Sequence, residues 1–180
     1  VRTDWQLDIP WNLHLFERIH GRRHALADIW YASYYHLGKG YAVLLFVPLF
    51  YWLAGPVATI HLLVATLSAG LAARALKLSF QHKRPSKLLA GVQHSERIYS
   101  RSFPSGDSAF AFAVVGVAVL QLPSMALPWL VLYALLIAYG RIYQGVHFPL
   151  DVLVGALVGL LMAWWSCDFS VYLGWLSGLG

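Results

Sequence analysis

DSAFAFAVVGVAVLQLPSMALPWLVLYALLIAYGR, residues 107–141, holds no Lys, Arg, Asp or Glu between the charged residues at its two ends. A single membrane crossing takes about 20 apolar residues, so this run is too long for one helix. Leu122-Pro123-Ser124, with Pro128 close behind, is the natural break. Two spans are therefore expected, about Ser105–Leu122 and about Leu127–Gly140. The rest of the chain follows the same pattern. Tyr41 to Ala73 also lacks charge, and Gly55-Pro56 divides it into spans of about Tyr41–Leu53 and Val57–Leu78. A fifth span is expected over about Pro149–Trp165, with Asp168–Gly180 too short to cross. The fold class is thus an all-α integral membrane bundle of about five to six transmembrane helices.

Composition agrees. Hydrophobic residues make up 59% of the chain and charged residues 12%, with a mean hydropathy of +0.60. Soluble domains average about 25% charged residues. The chain reads as one domain, 1–180, with residues 1–40 an interfacial segment and 41–180 the helical core. Asp8 to Phe16 has the look of an amphipathic piece lying at the interface. Arg22-Arg23-His24 is either a tie to lipid phosphates or a solvated basic turn. Val1–His24 lacks the apolar stretch of a cleavable signal. One cysteine, Cys167, excludes an internal disulfide. The formal charge of +5 suits anionic headgroups or a phosphorylated substrate, or simply a positive-inside bias. His61, inside the second span, is expected to be a hydrogen-bonded packing residue.

Three polar clusters interrupt the apolar runs, and charge beside membrane-length helices is costly enough to suggest function. In the first, Lys77 and Arg84 are seven apart and would share a helix face. They suit phosphate oxygens, or read as snorkelling interfacial cations. In the second, Pro104-Ser105-Gly106-Asp107 opens a helix. Ser105 is a plausible cap and Gly106 permits close backbone approach, so the first-turn amides could take an anion or merely be capped. In the third, His147 and Asp151 flank Pro149, and the acid can hold one imidazole nitrogen as N–H while the other attacks. Arg141, just before, adds a cation. Counting spans puts all three clusters on one membrane face, where they form a phosphate-handling set.

These motifs resemble those of the type 2 phosphatidic acid phosphatase family of membrane lipid phosphatases. That family carries Lys-x6-Arg-Pro, Pro-Ser-Gly-His and Arg-x5-His-x3-Asp, and the resemblance covers about Val57–Trp165. The first motif is matched at Lys77, Arg84 and Pro85, and the third at Arg141, His147 and Asp151. The resemblance implies a helical-bundle membrane enzyme, at home in the bacterial inner membrane, that uses no metal or other cofactor and works through a phosphohistidine. His147 would be the nucleophile and Asp151 its orienting partner. Lys77, Arg84, Ser105, Gly106 and Arg141 would bind phosphate. The implied partners are a phosphorylated lipid and the bilayer, not nucleic acid. Candidate substrates are a prenyl diphosphate, phosphatidate or phosphatidylglycerol phosphate.

The departure is Asp107, where the family pattern has the histidine that protonates the leaving group. An ionised aspartate cannot donate and repels incoming phosphate. A diphosphate, whose leaving group is already a stabilised phosphate, tolerates that loss better than a monoester. Other readings are a protonated Asp107, a lipid phosphotransferase, and a catalytically weak phospholipid-binding protein. A small transporter fits poorly, because no broken helix pair flanks a midplane charge.

Overall fold

The computed structural model describes residues 4–92, 101–176 and 178, and these are helical wherever they are regular. The helices are α1 (Pro10–His20), α2 (Ala25–Tyr34), α3 (Val43–Phe80), the single turn α4 (Pro85–Leu88), α5 (Gly106–Gln121), α6 (Leu127–Tyr143) and α7 (Pro149–Leu176). Short 3-10 turns at Tyr35–Gly38 and Gly40–Ala42 link α2 to α3.

The long α3 is two helices joined at Gly55, whose φ of 79° and ψ of −170° are not helical. A β-carbon is disfavoured at that φ, and Pro56 then restarts the helix. The two arms fold back on each other. Gly40 and Val43 border the same cavity as Gly70 and Arg74, whereas a straight helix would hold Val43 and Arg74 about 46 Å apart. The expected division at Gly55-Pro56 therefore holds. So does the break after Leu122, where Pro123 opens the turn into α6.

The helices α3, α5 and α7 form the centre of the bundle, and small residues let α5 and α7 approach closely. A β-carbon on Gly116 would stand 2.6 Å from the Ala163 Cβ. One on Gly159 would stand 2.2 Å from the Ala109 carbonyl oxygen, and one on Gly155 2.3 Å from that of Ser105. Backbones this close are the usual basis of helix packing in lipid. Phe50, Leu62, Val114, Val117 and Ile137 fill the interior. His61 is buried with Nε2 2.7 Å from the Ala163 carbonyl and Nδ1 3.1 Å from Gln121, the packing role expected.

The outside of the bundle is apolar, with Leu44, Trp52, Leu67, Trp129, Leu157 and Trp164 exposed. Among the described residues, three segments are long and apolar enough to cross a membrane: Gly40–Leu88, Ser124–Tyr143 and Pro149–Phe169. Gly106–Gln121 is apolar but shorter.

Two expectations need correction. Lys77 and Arg84 do not share a helix, because Gln81 adopts a left-handed conformation (φ 46°) that ends α3 at Phe80. Residue 81 turns the chain so that Arg84 leaves the helix axis altogether. The last helix also continues past Trp165 to Leu176, since nothing in Ser166–Leu176 stops it. The amino-terminal piece is a 3-10 turn followed by α1. Its Asn12 and Phe16 are buried against the bundle, while Trp11 stays exposed. Arg23 pairs with Asp28 through two hydrogen bonds, so this part of the basic turn is occupied within the protein. Glu96 and Arg97 lie outside the described residues.

Candidate active site

The residues of the three polar clusters come to one end of the bundle: the end of α3, the cap of α4, the start of α5, the end of α6 and the start of α7. Phe148 is the N-cap position of α7, with Pro149 following as a preformed first residue. The Asp151 carboxylate turns back to accept from the Phe148 amide through Oδ2 at 2.8 Å, in the manner of a capping box. Asn12 Oδ1 accepts from the Leu150 amide at 2.8 Å, so a side chain of α1 caps the same helix. Asp151 is wholly buried, and Oδ1 accepts from Gln6 Nε2 at 2.6 Å while Ser102 Oγ donates to Oδ2. Its backbone carbonyl accepts from the Ser105 amide at 2.8 Å, which joins the start of α7 to the start of α5.

Against this fixed carboxylate lies His147, itself buried, with Nδ1 3.4 Å from Asp151 Oδ2. Its Nε2 faces Arg84 Nη1 at 3.2 Å, and the same Nη1 donates to the Val146 carbonyl at 2.8 Å. A guanidinium only donates, so Nε2 is the lone-pair nitrogen and the ring proton belongs on Nδ1, beside the acid. Burial, then the charges of Arg84, Lys77, Arg141 and Lys39, hold the imidazole well below its usual pKa of 6.5. These effects outweigh the carboxylate behind Nδ1. A neutral imidazole among cations keeps a lone pair beside an anion-attracting field.

Lys77 is turned to a different task from the one its spacing suggests. Its Nζ donates to the carbonyls of Arg101, Ser102 and Pro104 at 3.1, 3.2 and 2.6 Å. Arg101 reciprocates by donating to the Lys77 and Leu78 carbonyls at the end of α3. The pair thus fastens the 101–104 loop, and Lys77 reaches His147 through its charge. Ser105 is the expected N-cap of α5, with Oγ accepting from the Ser108 amide at 3.3 Å and the Ser108 hydroxyl at 2.9 Å. Gly106 follows beside a cavity of about 550 Å³ that Lys77 and Arg101 also line, and a β-carbon there would meet nothing within 4 Å.

Asp107 is clamped. Its Oδ2 lies 3.0 Å from Lys39 Nζ and 3.1 Å from Arg141 Nε. Lys39 comes from the turn between the 3-10 helices, and the Tyr35 ring lies under both cations, 5.1 Å from Lys39 Nζ and 6.0 Å from the Arg141 guanidinium. Arg141 also donates to Gln144 Oε1 at 3.3 Å, and Gln144 in turn to the Tyr31 carbonyl at 3.2 Å.

Sequence reasoning thus placed Arg84, Arg141, His147 and Asp151 together, along with Ser105, Gly106 and Asp107. It missed Gln6, Asn12, Lys39 and the role of Ser102. Ser102 adjoins the Pro-Ser-Gly cluster, and that proximity was its one available signal.

A family model described as the PAP2 superfamily matches residues 58–175. The chain belongs to the PAP2 superfamily. It is an integral membrane protein with apolar helical spans. Among PAP2 relatives, the putative undecaprenyl-diphosphatase YbjG of Escherichia coli strain K12 is 38% identical over 84 residues, 46% of this chain and 41% of that protein. The chain thus spans less than half the length of that curated relative. The crystal structure of Aquifex aeolicus LpxE superposes with a TM-score of 0.81 and 37% identity, covering 88% of this chain and 95% of that one. A PAP2-type phosphatidylglycerolphosphate phosphatase from Bacillus subtilis shares the fold, at a TM-score of 0.75, 22% identity, and coverage of 92% and 87%.

Proposed function

We propose that this PAP2 protein releases inorganic phosphate from a lipid diphosphate, or less readily from a lipid phosphate monoester, through a phosphohistidine at His147. The observation that carries this reading is the orientation of His147. Nε2 faces a guanidinium that can steer a phosphoryl group, while Nδ1 faces a carboxylate held by Gln6, Ser102 and Phe148. In this reading Arg84 and Arg141 bind phosphate oxygens, and the Gly106 amide adds a donor at the positive end of α5. Lys77 supplies charge and secures the loop. Asp151 keeps the imidazole proton on Nδ1.

The preference for a diphosphate comes from Asp107, which replaces the histidine of the family pattern. A carboxylate clamped between Lys39 and Arg141 accepts hydrogen bonds and has no proton for an alkoxide. A leaving phosphate does not need one. The name of the Escherichia coli relative points the same way, to an undecaprenyl diphosphate class of substrate. The two arms of α3 with α5, α6 and α7 make five spans of a bacterial inner-membrane protein, with the amino-terminal helices at the interface over the site.

The test is phosphate release by purified protein from farnesyl diphosphate and from phosphatidate, beside His147→Ala. Release from the diphosphate that disappears in the variant, together with an acid-labile phosphoprotein in rapid-quench samples, is the expected result. Release that survives His147→Ala would overturn it.

A further inference from the structure

Arg74 lies on α3 four residues after Gly70 and three before Lys77, so these three positions share one stripe of the helix. Two cavities meet at this stripe. One, of about 540 Å³, lies between the α3 arms and α5 and is lined by Gly40, Val43, Leu63, Leu67 and Phe110. The other, of about 550 Å³, is lined by Lys77, Leu78, Arg101 and Gly106, and reaches the candidate site at the start of α5. Gly70 and Arg74 border both. A β-carbon at Gly70 would meet nothing within 4 Å, so the passage between the cavities is open on that side. From Leu63 to Arg74 the track runs about 16 Å along the helix. One end carries the cations Lys77 and Arg101 and the other is lined mainly by apolar side chains.

The cations nearest this junction differ in how they are occupied. Lys77 is spent on carbonyls, and so is Arg101. Arg84 holds the Val146 carbonyl against His147, and Arg141 holds Asp107 and Gln144. The Arg74 side chain is exposed, and it makes no hydrogen bond or ion pair among the described residues. Among the described residues it is the uncommitted guanidinium that borders both cavities.

The geometry points to Arg74 as a second residue, beside Asp107, that favours a lipid diphosphate, by pairing with the phosphate nearer the lipid while the chain lies along the Gly70 track. This rests on the phosphatase reading above. The distal phosphorus, beside Gly106 and His147, is the one attacked. His147 Nε2 forms a bond to it as the bridging P–O bond breaks. The electron pair leaves on the bridging oxygen of the lipid monophosphate, where the Arg74 charge counters it. Water then cleaves the N–P bond, both of its hydrogens leaving on inorganic phosphate, and the imidazole is restored with its proton on Nδ1. A monoester places its single phosphate at His147 and presents nothing charged to Arg74. Arg is suited to this because its planar fork matches two phosphate oxygens, which a lysine ammonium does not.

The experiment compares farnesyl diphosphate with farnesyl phosphate, which differ only in the second phosphate, in wild type, Arg74→Met, Arg74→Lys and His147→Ala. Arg74→Met is expected to lower kcat/KM for the diphosphate by about 10- to 100-fold relative to its effect on the monophosphate, as the loss of a charged hydrogen-bonding partner implies. Arg74→Lys is expected to fall between. Equal loss on both substrates would make Arg74 a general interfacial anchor and overturn the inference. So would no loss on either. Those outcomes leave His147→Ala inactive, whereas release that survives His147→Ala defeats the phosphatase reading itself.

Discussion

Asp107 holds together two cations that would otherwise repel each other, and in doing so it occupies part of the charge that the proposed substrate phosphate would meet. Lys39 and Arg141 both meet the same oxygen, Oδ2. Replacing it with histidine removes a negative charge from the phosphate pocket and adds a group able to protonate an alkoxide. Asp107→His is therefore expected to raise the rate on phosphatidate by about 10²–10⁴-fold, the range of general acid catalysis. The rate on farnesyl diphosphate should change far less. Initial-rate phosphate release at neutral pH checks this. His147 gives a second expectation. Protonation consumes the Nε2 lone pair, so activity falls as pH falls through the His147 pKa, which burial and the neighbouring cations place well below 6.5. The kcat/KM profile should stay flat on descending past 6.5. Arg84→Met removes the largest of the repelling cations and should move the acid limb upward, toward 6.5, whatever it does to the plateau. At this scale the sequence was legible where residues were close along the chain, as His147 and Asp151 are. It was not legible where partners came from afar. Gln6 lies 145 positions from Asp151 and Lys39 lies 68 from Asp107, and no local spacing announces either contact.

Helix ends present Lys77, Asp107, Arg141 and Asp151, while caps and turns present Arg84 and His147. The start of α7 meets the start of α5 through Asp151 and Ser105, and that meeting depends on the close approach permitted by Gly155. An alanine there would put its β-carbon 2.3 Å from the Ser105 carbonyl oxygen, a backbone atom that cannot swing aside. Gly155→Ala should cost about 1–3 kcal/mol of stability, as overpacking does. It should also lower activity, by separating the Ser105 amide from the Asp151 carbonyl. Thermal unfolding in detergent and phosphate release measure the two effects. Gly106→Ala is the contrast, since its β-carbon would meet open space. Its unfolding temperature should move little, while a methyl group beside the proposed phosphate site lowers kcat/KM. Helix existence and the breaks at Gly55-Pro56 and Leu122-Pro123 were legible because apolar length and backbone chemistry are local properties. The end of α3 was not. Only the left-handed turn at Gln81, a residue with no strong preference for it, separates Lys77 from Arg84 into different tasks.

Across the whole molecule, the apolar exterior and the polar end define a direction. Trp52, Met125, Trp129 and Trp164 are exposed toward the end where α3 turns at Gly55 and α5 passes to α6, while Trp11, Trp30 and Tyr41 are exposed near the site. Amphipathic rings at both ends suit the two interfaces of a bilayer. This sidedness is the claim on which a membrane-facing active site depends, because an odd number of crossings between clusters would send one of them to the other face. It can be tested without any substrate. In a Cys167→Ser background, a cysteine replacing the exposed Lys87 marks the site end, and one replacing the exposed Ser124 marks the turn between α5 and α6. In sealed vesicles of one orientation, a membrane-impermeant maleimide should label one of these variants from outside. The other should react only after the vesicles are opened. A cysteine at Lys83, also exposed, should behave as the Lys87 position does. If Lys87 and Ser124 positions label from the same side, α5 does not cross the bilayer. His147 and Arg84 could then remain neighbours, but the lipid would have to reach them by a route other than the track beside α3.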